Sequence, residues 1–119
     1  MSLLDQIYND LQGNMALTAM VGDKITPNFI YQDTPAPFVV FTVNSATRDS
    51  TLDAVGPARV EFMVDCYHTT LSLLLDLVAT VKDALAYKKY YLVSENSAEI
   101  VDESQMLHQT VTFYVFDLT

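Results

Sequence analysis

Residues 59 to 85 read Arg59-Val-Glu-Phe-Met-Val-Asp-Cys-Tyr-His68-Thr-Thr-Leu71-Ser-Leu-Leu-Leu-Asp-Leu-Val-Ala-Thr-Val-Lys-Asp-Ala-Leu85. Up to His68 the apolar side chains occupy alternate positions, which is the pattern of a strand with one face in the core. Beyond this strand they recur every three or four residues, which is the pattern of one face of a helix. We therefore predict a strand followed at once by a long amphipathic helix, and hence a sheet with a helix packed across it.

The two periods also identify which side chains of this stretch enter the core. The predicted core row of the strand is Val60, Phe62, Val64 and Cys66, which alternates with Glu61, Met63, Asp65 and Tyr67. The predicted buried stripe of the helix is Leu71, Leu74, Leu77, Val78, Val81 and Leu85, whereas Ser72, Asp76 and Asp83 face away from it. Both sets fit a single core between the sheet and the helix.

Cap and turn residues divide the rest of the chain into further elements. A first helix begins at Ser2 and is broken by Gly13, and Asn14 caps a second helix that ends at Gly22. Three prolines make residues 23–37 an extended connection. Further strands are expected over 38–43, 90–94, 99–102 and 108–118. This order predicts a single α+β domain over residues 1–119, with one long and two short N-terminal helices on one face of a largely antiparallel sheet.

The segment over residues 44–58 is mostly polar or small, and it separates two predicted strands. We predict a long projecting hairpin loop here, with Arg48, Asp49 and Asp53 near its tip. An extended hairpin whose strands continue toward the tip is the alternative. Connections of about this length are uncommon in compact domains and are often functional, so we expect this segment to contact a partner.

The composition is both acidic and rich in apolar residues. The chain has 119 residues, of which 15 are acidic and 6 are basic, for a formal net charge of −9. Such a surface repels the phosphate backbone, so stable binding to nucleic acid is not expected. Half of the residues are hydrophobic, which predicts a folded core, and no apolar run approaches the ~20 residues of a membrane-spanning helix. Cys66 is the single cysteine, which excludes an intrachain disulfide and fits a reducing compartment.

The sequence contains no residue pattern that points to catalysis, a metal or a cofactor. Cys66 and His68 could in principle act as nucleophile and base. However, Cys66 belongs to the predicted core row and His68 lies at the end of the strand, so a buried structural cysteine is favoured. These two side chains are too few for a zinc site, and His108 is expected at the surface. We therefore expect no enzymatic activity, no metal ion and no cofactor.

The last predicted strand carries one row of side chains that the core does not use. Its core row is Val111, Phe113 and Val115, and the alternate row is Thr110, Thr112, Tyr114, Phe116 and Leu118. The alternate row is expected on the uncovered face of the sheet, where it is too polar for a second core and too apolar for water. Such a row is typical of a surface that is buried on assembly. We therefore predict subunit contacts through Tyr114, Phe116 and Leu118, together with the three charged residues of the hairpin tip.

Several segments follow one another in a recognisable order. They are residues 17–25, 36–41, 51–53 and 59–67, then the helix over 71–85, and finally the aromatic strand over 111–116. In this order the chain resembles the small tail-terminator or tail-completion proteins of long-tailed bacteriophages, which include the tail-to-head joining proteins. The resemblance covers most of the chain, and the residues that carry it build the fold.

The resemblance implies a non-enzymatic virion protein that assembles as a ring, typically of six subunits. Such a ring caps the finished tail tube, stops its polymerisation and provides the surface to which the head joins. The implied partners are other copies of the chain, the tail tube protein and the head–tail connector protein, with DNA only passing through the ring. The implied location is the head-proximal end of the tail in the virion, and the host cytoplasm during assembly, with no role for a membrane.

The residues alone leave two other classes of function open. A small acidic binding or inhibitory module, such as a nucleic-acid mimic, would be a monomer or dimer that binds a basic protein. A small-molecule-binding α+β domain would have a deep pocket lined by ionisable groups with shifted pKa values. These alternatives predict different surfaces, so the fold can discriminate between them.

Overall fold

The computed structural model describes residues 3–22, 24–27, 37–50, 55–86, 89–101 and 106–117. These residues form three helices and six strands, in the order helix, helix, three strands, helix, three strands. The helices are α1 (Leu3–Gln12), α2 (Met15–Val21) and α3 (Leu71–Ala86). The strands are β1 (Ile25–Pro27), β2 (Phe38–Ser50), β3 (Val55–His68), β4 (Tyr91–Glu95), β5 (Glu99–Val101) and β6 (Met106–Asp117). None of the helices in the described ranges is long and apolar enough to cross a membrane.

The strands form one mixed sheet in the order β1-β2-β3-β6-β4, and β5 also pairs with β6. Only the β1–β2 pair is parallel, so the sheet is largely antiparallel as predicted. Because β3 occupies one side of β6, the strands β4 and β5 follow each other along its other side. The last strand of the chain therefore lies in the interior of the sheet. This architecture confirms the predicted α+β fold.

The predicted end of α1 and the two predicted ends of α2 are confirmed, whereas Ser2, the predicted cap of α1, lies outside the described residues. The Asn14 side chain accepts a hydrogen bond of 2.9 Å from the Leu17 backbone N–H, which caps α2. Gly22 follows the helix with a φ of 64°, a conformation that favours glycine. The turn between α1 and α2 is fixed by a 2.8 Å hydrogen bond from the Gly13 N–H to the Asn9 carbonyl oxygen.

The core lies between the three helices and one face of the sheet. The sheet contributes Val39, Phe41, Val60, Phe62, Val64, Cys66, Val111, Phe113 and Val115, all of which are buried. The helices contribute Ile7, Leu11, Leu17, Val21, Leu74, Leu77, Val78, Val81, Ala84 and Leu85. Phe62 stacks on Phe113 with ring centroids 5.6 Å apart, and Tyr90 meets the edge of Phe62 at 5.4 Å. The predicted core rows of β3 and β6 are thus confirmed.

The opposite face of the sheet, here called the second face, divides into a buried half and an exposed half. The buried half holds a small cluster of Phe38, Val40 and Tyr67, with Met106 packed against it. The exposed half holds the other end of β6 and the adjoining part of β4. The alternate row of β6 lies on this second face as predicted, but its Thr110 end is buried rather than uncovered.

Three predictions need correction. The strands β2 and β3 stay paired from Phe38↔Tyr67 to Ser50↔Val55, so most of the predicted hairpin loop is paired strand; residues 51–54 lie outside the described ranges. The predicted connection over 23–37 contains β1, whose last residue is Pro27; this proline is compatible with an edge strand.

The third correction concerns the start of α3. Leu71 was assigned to the buried stripe, yet it is half exposed. By helical spacing it lies on the same flank as Leu75, Lys82 and Ala86. Lys82 reaches β4, so this flank points along the sheet edge rather than into the core.

Candidate subunit interface

The exposed half of the second face carries a cluster of three aromatic side chains, Tyr91, Tyr114 and Phe116. Tyr91 and Tyr114 are cross-strand partners on β4 and β6, and their rings stack with centroids 5.0 Å apart. Phe116 meets both rings edge-on, at 5.5 Å from Tyr114 and 6.4 Å from Tyr91. Phe116 is 39% exposed and Tyr91 is 52% exposed. Two paired strands therefore carry this aromatic cluster, while much of the surface of Tyr91 and Phe116 faces water.

The structure brings the predicted interface residues only partly together. Tyr114 and Phe116 lie side by side in the aromatic cluster. Arg48 is in the same sheet, two strands away, in the cross-strand row of Ala58 and Asp117. This row is next to the one that contains Phe116.

The other predicted contacts are less constrained. Asp49 falls at an irregularity of the β2–β3 pairing, between the rows of Arg48 and Ser50. Asp53 and Leu118 lie outside the described residues. Tyr91 is not among the predicted contacts, because its place beside Tyr114 depends on the register of β4 against β6.

A polar network lies in the buried half of the second face. Asp65 Oδ1 accepts a 2.6 Å hydrogen bond from the Thr110 hydroxyl and lies 2.8 Å from His108 Nε2. The Thr110 oxygen is itself 3.0 Å from His108 Nε2. Because the single hydroxyl proton of Thr110 goes to Asp65, the His108 Nε2 must carry the hydrogen that it shares with these oxygens. His108 is therefore part of a polar network, and its side chain is partly rather than fully exposed.

The same network adjoins a ladder of stacked rings. Tyr67 lies between Phe38 and His108, with centroid distances of 4.6 Å and 4.7 Å. Burial, and to a lesser extent the charge of Asp65, raises the pKa of Tyr67 to about 12. The alternation of β3 assigned Tyr67 to the non-core row, and this is correct, but the half of the second face that holds it is buried.

Cys66 and His68, the two side chains considered for catalysis, have different surroundings in the structure. Cys66 is fully buried in the core, and burial together with the charge of Asp65 raises the pKa of its thiol. His68 Nδ1 accepts a 2.9 Å hydrogen bond from the Thr69 backbone N–H, so that nitrogen is occupied locally. Within the described ranges, no three side chains of the metal-binding types come together. A thiol that resists ionisation in an apolar core is a structural residue.

A shallow apolar groove runs between α3 and the edge of the sheet. Its volume is about 270 Å³, and its lining residues are Lys82, Ala86, Tyr90, Tyr91, Leu92 and Phe113. Lys82 Nζ forms a 2.8 Å ion pair with Glu95 Oε2, which ties α3 to β4 beside this edge groove. The Tyr90 hydroxyl donates a 2.6 Å hydrogen bond to Asp10 Oδ2, and burial and this bond raise the pKa of Tyr90. The groove is open and apolar, so it suits a protein surface better than a polar small molecule.

A helix-backed sheet with an exposed aromatic cluster and an apolar groove at its edge offers surfaces suited to binding other proteins. Comparison with known families assigns the chain more closely. A family model described as tail completion protein gp17 matches residues 5–114, so the chain belongs to this family of phage-tail structural proteins. The predicted membership of the tail-completion proteins is therefore confirmed. No curated protein sequence matches the chain.

The fold also occurs in a solved structure. A chain of the "Virion of native gene transfer agent (GTA) particle" superimposes with a TM-score of 0.82. The match covers 97% of this chain and 93% of the other, at 16% sequence identity. At that identity the likeness concerns the fold alone.

Proposed function

We propose that this chain is a non-enzymatic tail terminator of a long-tailed phage. Copies of it assemble as a hexameric ring on the head-proximal end of the tail tube. The ring stops tube polymerisation and presents the surface to which the head–tail connector protein binds. Assembly takes place in the host cytoplasm, and the finished ring remains in the virion.

The half-exposed aromatic cluster is the observation that carries this proposal. Three large rings fixed on two paired strands offer apolar contact area that needs little further ordering on binding, and aromatic residues are enriched at the centres of protein interfaces. Membership of the tail-completion family supplies the setting in which such a contact is needed. Tyr114 and Phe116 are therefore proposed as subunit contacts, with Arg48, Asp49, Asp53 and Leu118 at the same interface.

The charge of the chain suits a ring through which DNA passes. A formal net charge of −9 leaves few cations to hold phosphates, because nucleic-acid affinity comes largely from lysine and arginine. Repeated around a ring, the acidic surface repels the moving DNA rather than binding it. The proposed interaction with DNA is therefore passage without retention.

Electron microscopy of the protein mixed with uncapped tail tubes tests the proposal. We expect ring-shaped density at one end of each tube and an arrest of tube growth when free tube subunits are added. Tubes without the protein serve as the control and should continue to lengthen. Tubes that remain uncapped and keep growing in the presence of the folded protein would refute the proposed function.

A further inference from the structure

Among the residues that the structure describes, the sheet has an uncovered edge on each side. On one side, β4 pairs with β6, and no strand of the described residues pairs with its outer edge. On the other side, β1 covers β2 only from Val39 to Phe41, so the outer edge of β2 beyond Phe41 has no strand partner in the described part of the chain. Uncovered edges are templates for pairing with another chain, so each requires an explanation.

The two uncovered edges lie at the same position along the strand direction. One cross-strand row joins Ser45, Glu61, Tyr114 and Tyr91, and a parallel row joins Phe41, Val64, Val111 and Glu95. The strand β4 thus occupies the same cross-strand rows as residues Phe41 to Ser45 of β2. This is the stretch of β2 that lies beyond Pro27 of β1 and has no strand partner among the described residues.

The strand directions also agree. Since β2, β3, β6 and β4 are each antiparallel to the next, β4 runs antiparallel to β2 within one copy. Rotation about an axis along the strands preserves strand direction. The β4 strand of one copy would therefore meet the β2 strand of a rotated copy in antiparallel orientation, which is a regular sheet pairing.

Both edges lack charge in a strongly acidic chain. The segment over residues 91–94 is Tyr-Leu-Val-Ser, and the segment over 42–47 is Thr-Val-Asn-Ser-Ala-Thr, so neither holds an ionisable carboxylate or a cation. Glu95, at the end of β4, is already paired with Lys82. With 15 acidic residues per copy, charge-free edges are where two copies can approach with least repulsion.

Each edge carries at least one apolar side chain that is not fully buried. On β4, Leu92 is 53% exposed and Val93 is 43% exposed, and Leu92 lines the edge groove. On β2, Val43 is only partly buried at the margin of the core. Val43 and Leu92 belong to the helix side of the sheet, so a neighbour's Val43 can pack against Leu92 beside the groove.

We propose that β4 of one copy pairs antiparallel with the uncovered stretch of β2 in a second copy, beginning at Thr42. The sheet then continues from subunit to subunit, and the edge groove receives apolar side chains of the neighbour. This inference rests on the proposed ring, because head-to-tail contacts between two different edges give a closed ring when the rotation between copies closes, and an open filament when it does not. The interface is heterologous, with one edge of each kind on every copy.

One variant blocks each edge. Leu92→Asp places a carboxylate beside the groove, and because Leu92 is half exposed the monomer tolerates the change. Val43→Pro removes the backbone N–H of residue 43, which points away from β3 toward the uncovered side of β2. The Val39 N–H donates to the Lys24 carbonyl on the β1 side at 3.0 Å, and alternation along the strand gives the Val43 N–H the same direction. Proline at Val43 therefore spares the hydrogen bonds to β3. Met15→Asp, at an 85% exposed apolar residue on α2, is the matched control.

Sedimentation velocity of the variants, alone and on tail tubes, tests the proposal. We expect rings from the wild type and Met15→Asp, and complete loss of rings from Leu92→Asp and from Val43→Pro. An equimolar mixture of the two blocked variants should form dimers that grow no further, because one intact edge of each kind remains. Circular dichroism confirms that each variant is folded.

The other outcomes separate the possible errors. Rings from both blocked variants, or dimers from Val43→Pro alone, would overturn the edge pairing while leaving the ring proposal intact. A folded wild type that forms no ring, free or on tubes, would overturn the proposed function itself. If Val43→Pro does not fold, hydrogen exchange of the wild type decides. The amides of Val43 and of β4 should exchange at least about tenfold more slowly in the ring than in the monomer, and equal rates would refute the pairing.

Discussion

Exchanging two phenylalanines of the same strand for aspartate should separate folding from assembly. Phe113 is 3% exposed and stacks on Phe62 in the core, whereas Phe116 is 39% exposed and lies on the second face. The two residues are three positions apart on β6, so their rings lie on opposite faces of the sheet. Phe113→Asp and Phe116→Asp are thus a matched pair of identical chemical changes.

The structure predicts very different costs for the two variants. Truncating a buried phenylalanine costs about 3–5 kcal/mol, and the added burial of a carboxylate raises the cost for Phe113→Asp. This is comparable with the whole stability of an ordinary domain, about 5–15 kcal/mol. Phe116→Asp loses about 2 kcal/mol, from partial burial and the edge-on contacts with Tyr91 and Tyr114. Its carboxylate can still reach water in the monomer.

Urea unfolding by circular dichroism, followed by sedimentation with tail tubes, measures both effects. We expect Phe113→Asp to be unfolded without urea, and Phe116→Asp to unfold cooperatively at a lower urea concentration than the wild type. Phe116→Asp should nevertheless fail to bind tubes as a ring, because assembly would bury an unpaired carboxylate at a cost of several kcal/mol. Normal rings from Phe116→Asp would show that the aromatic cluster is not a subunit contact. Unfolding as severe as that of Phe113→Asp would place it in the internal core.

Three further predictions concern stability and the absence of chemistry. Cys66→Ala should lower the free energy of unfolding, measured in urea, by about 1 kcal/mol. Both Cys66→Ala and His68→Ala should leave tube capping intact. Loss of capping in either folded variant would reveal a missed site. Asn14→Ala removes the α2 cap and should also cost about 1 kcal/mol, and an unchanged urea midpoint would argue against the cap. In the folded chain the pKa of Tyr67 is raised from its ordinary value of about 10 to about 12. The neutral hydroxyl therefore makes its full contribution to the free energy of unfolding below about pH 10, and this contribution is lost between about pH 10 and 12. Tyr67→Phe should therefore lose less stability over that range, as followed by thermal melting, and an identical alkaline loss would contradict the burial of the hydroxyl.

The elements that local periodicity defines could be predicted well. The alternation in β3 and the three-to-four spacing in α3 survive in the structure because each element buries a single face, so burial imprints its period on the sequence. Asn14 caps α2 through its side-chain oxygen and Gly22 ends it through its backbone conformation, and both effects are local. Most of the architecture followed from these local rules.

The features that depend on register could not be predicted from one sequence. The contact of Asp65 with Thr110 joins residues 45 positions apart, and it exists only because β3 and β6 pair with those two as cross-strand partners. The position of Tyr91 in the aromatic cluster depends in the same way on the pairing of β4. Polar composition over 44–58 suggested a loop, but the pairing of β2 with β3 is made by backbone groups and needs no apolar alternation.

The position of β6 inside the sheet has a consequence for the order in which the molecule is completed during synthesis. The strands β4 and β5 are joined to the rest of the sheet by β6, which follows them along the chain. A nascent chain that has emerged only as far as β5 therefore has no strand between β3 and β4 to hold that edge in place. Incomplete chains cannot display the β4 edge in its final position. In the proposed ring, a copy would therefore become able to join a neighbour through β4 only once β6 has been inserted into the sheet.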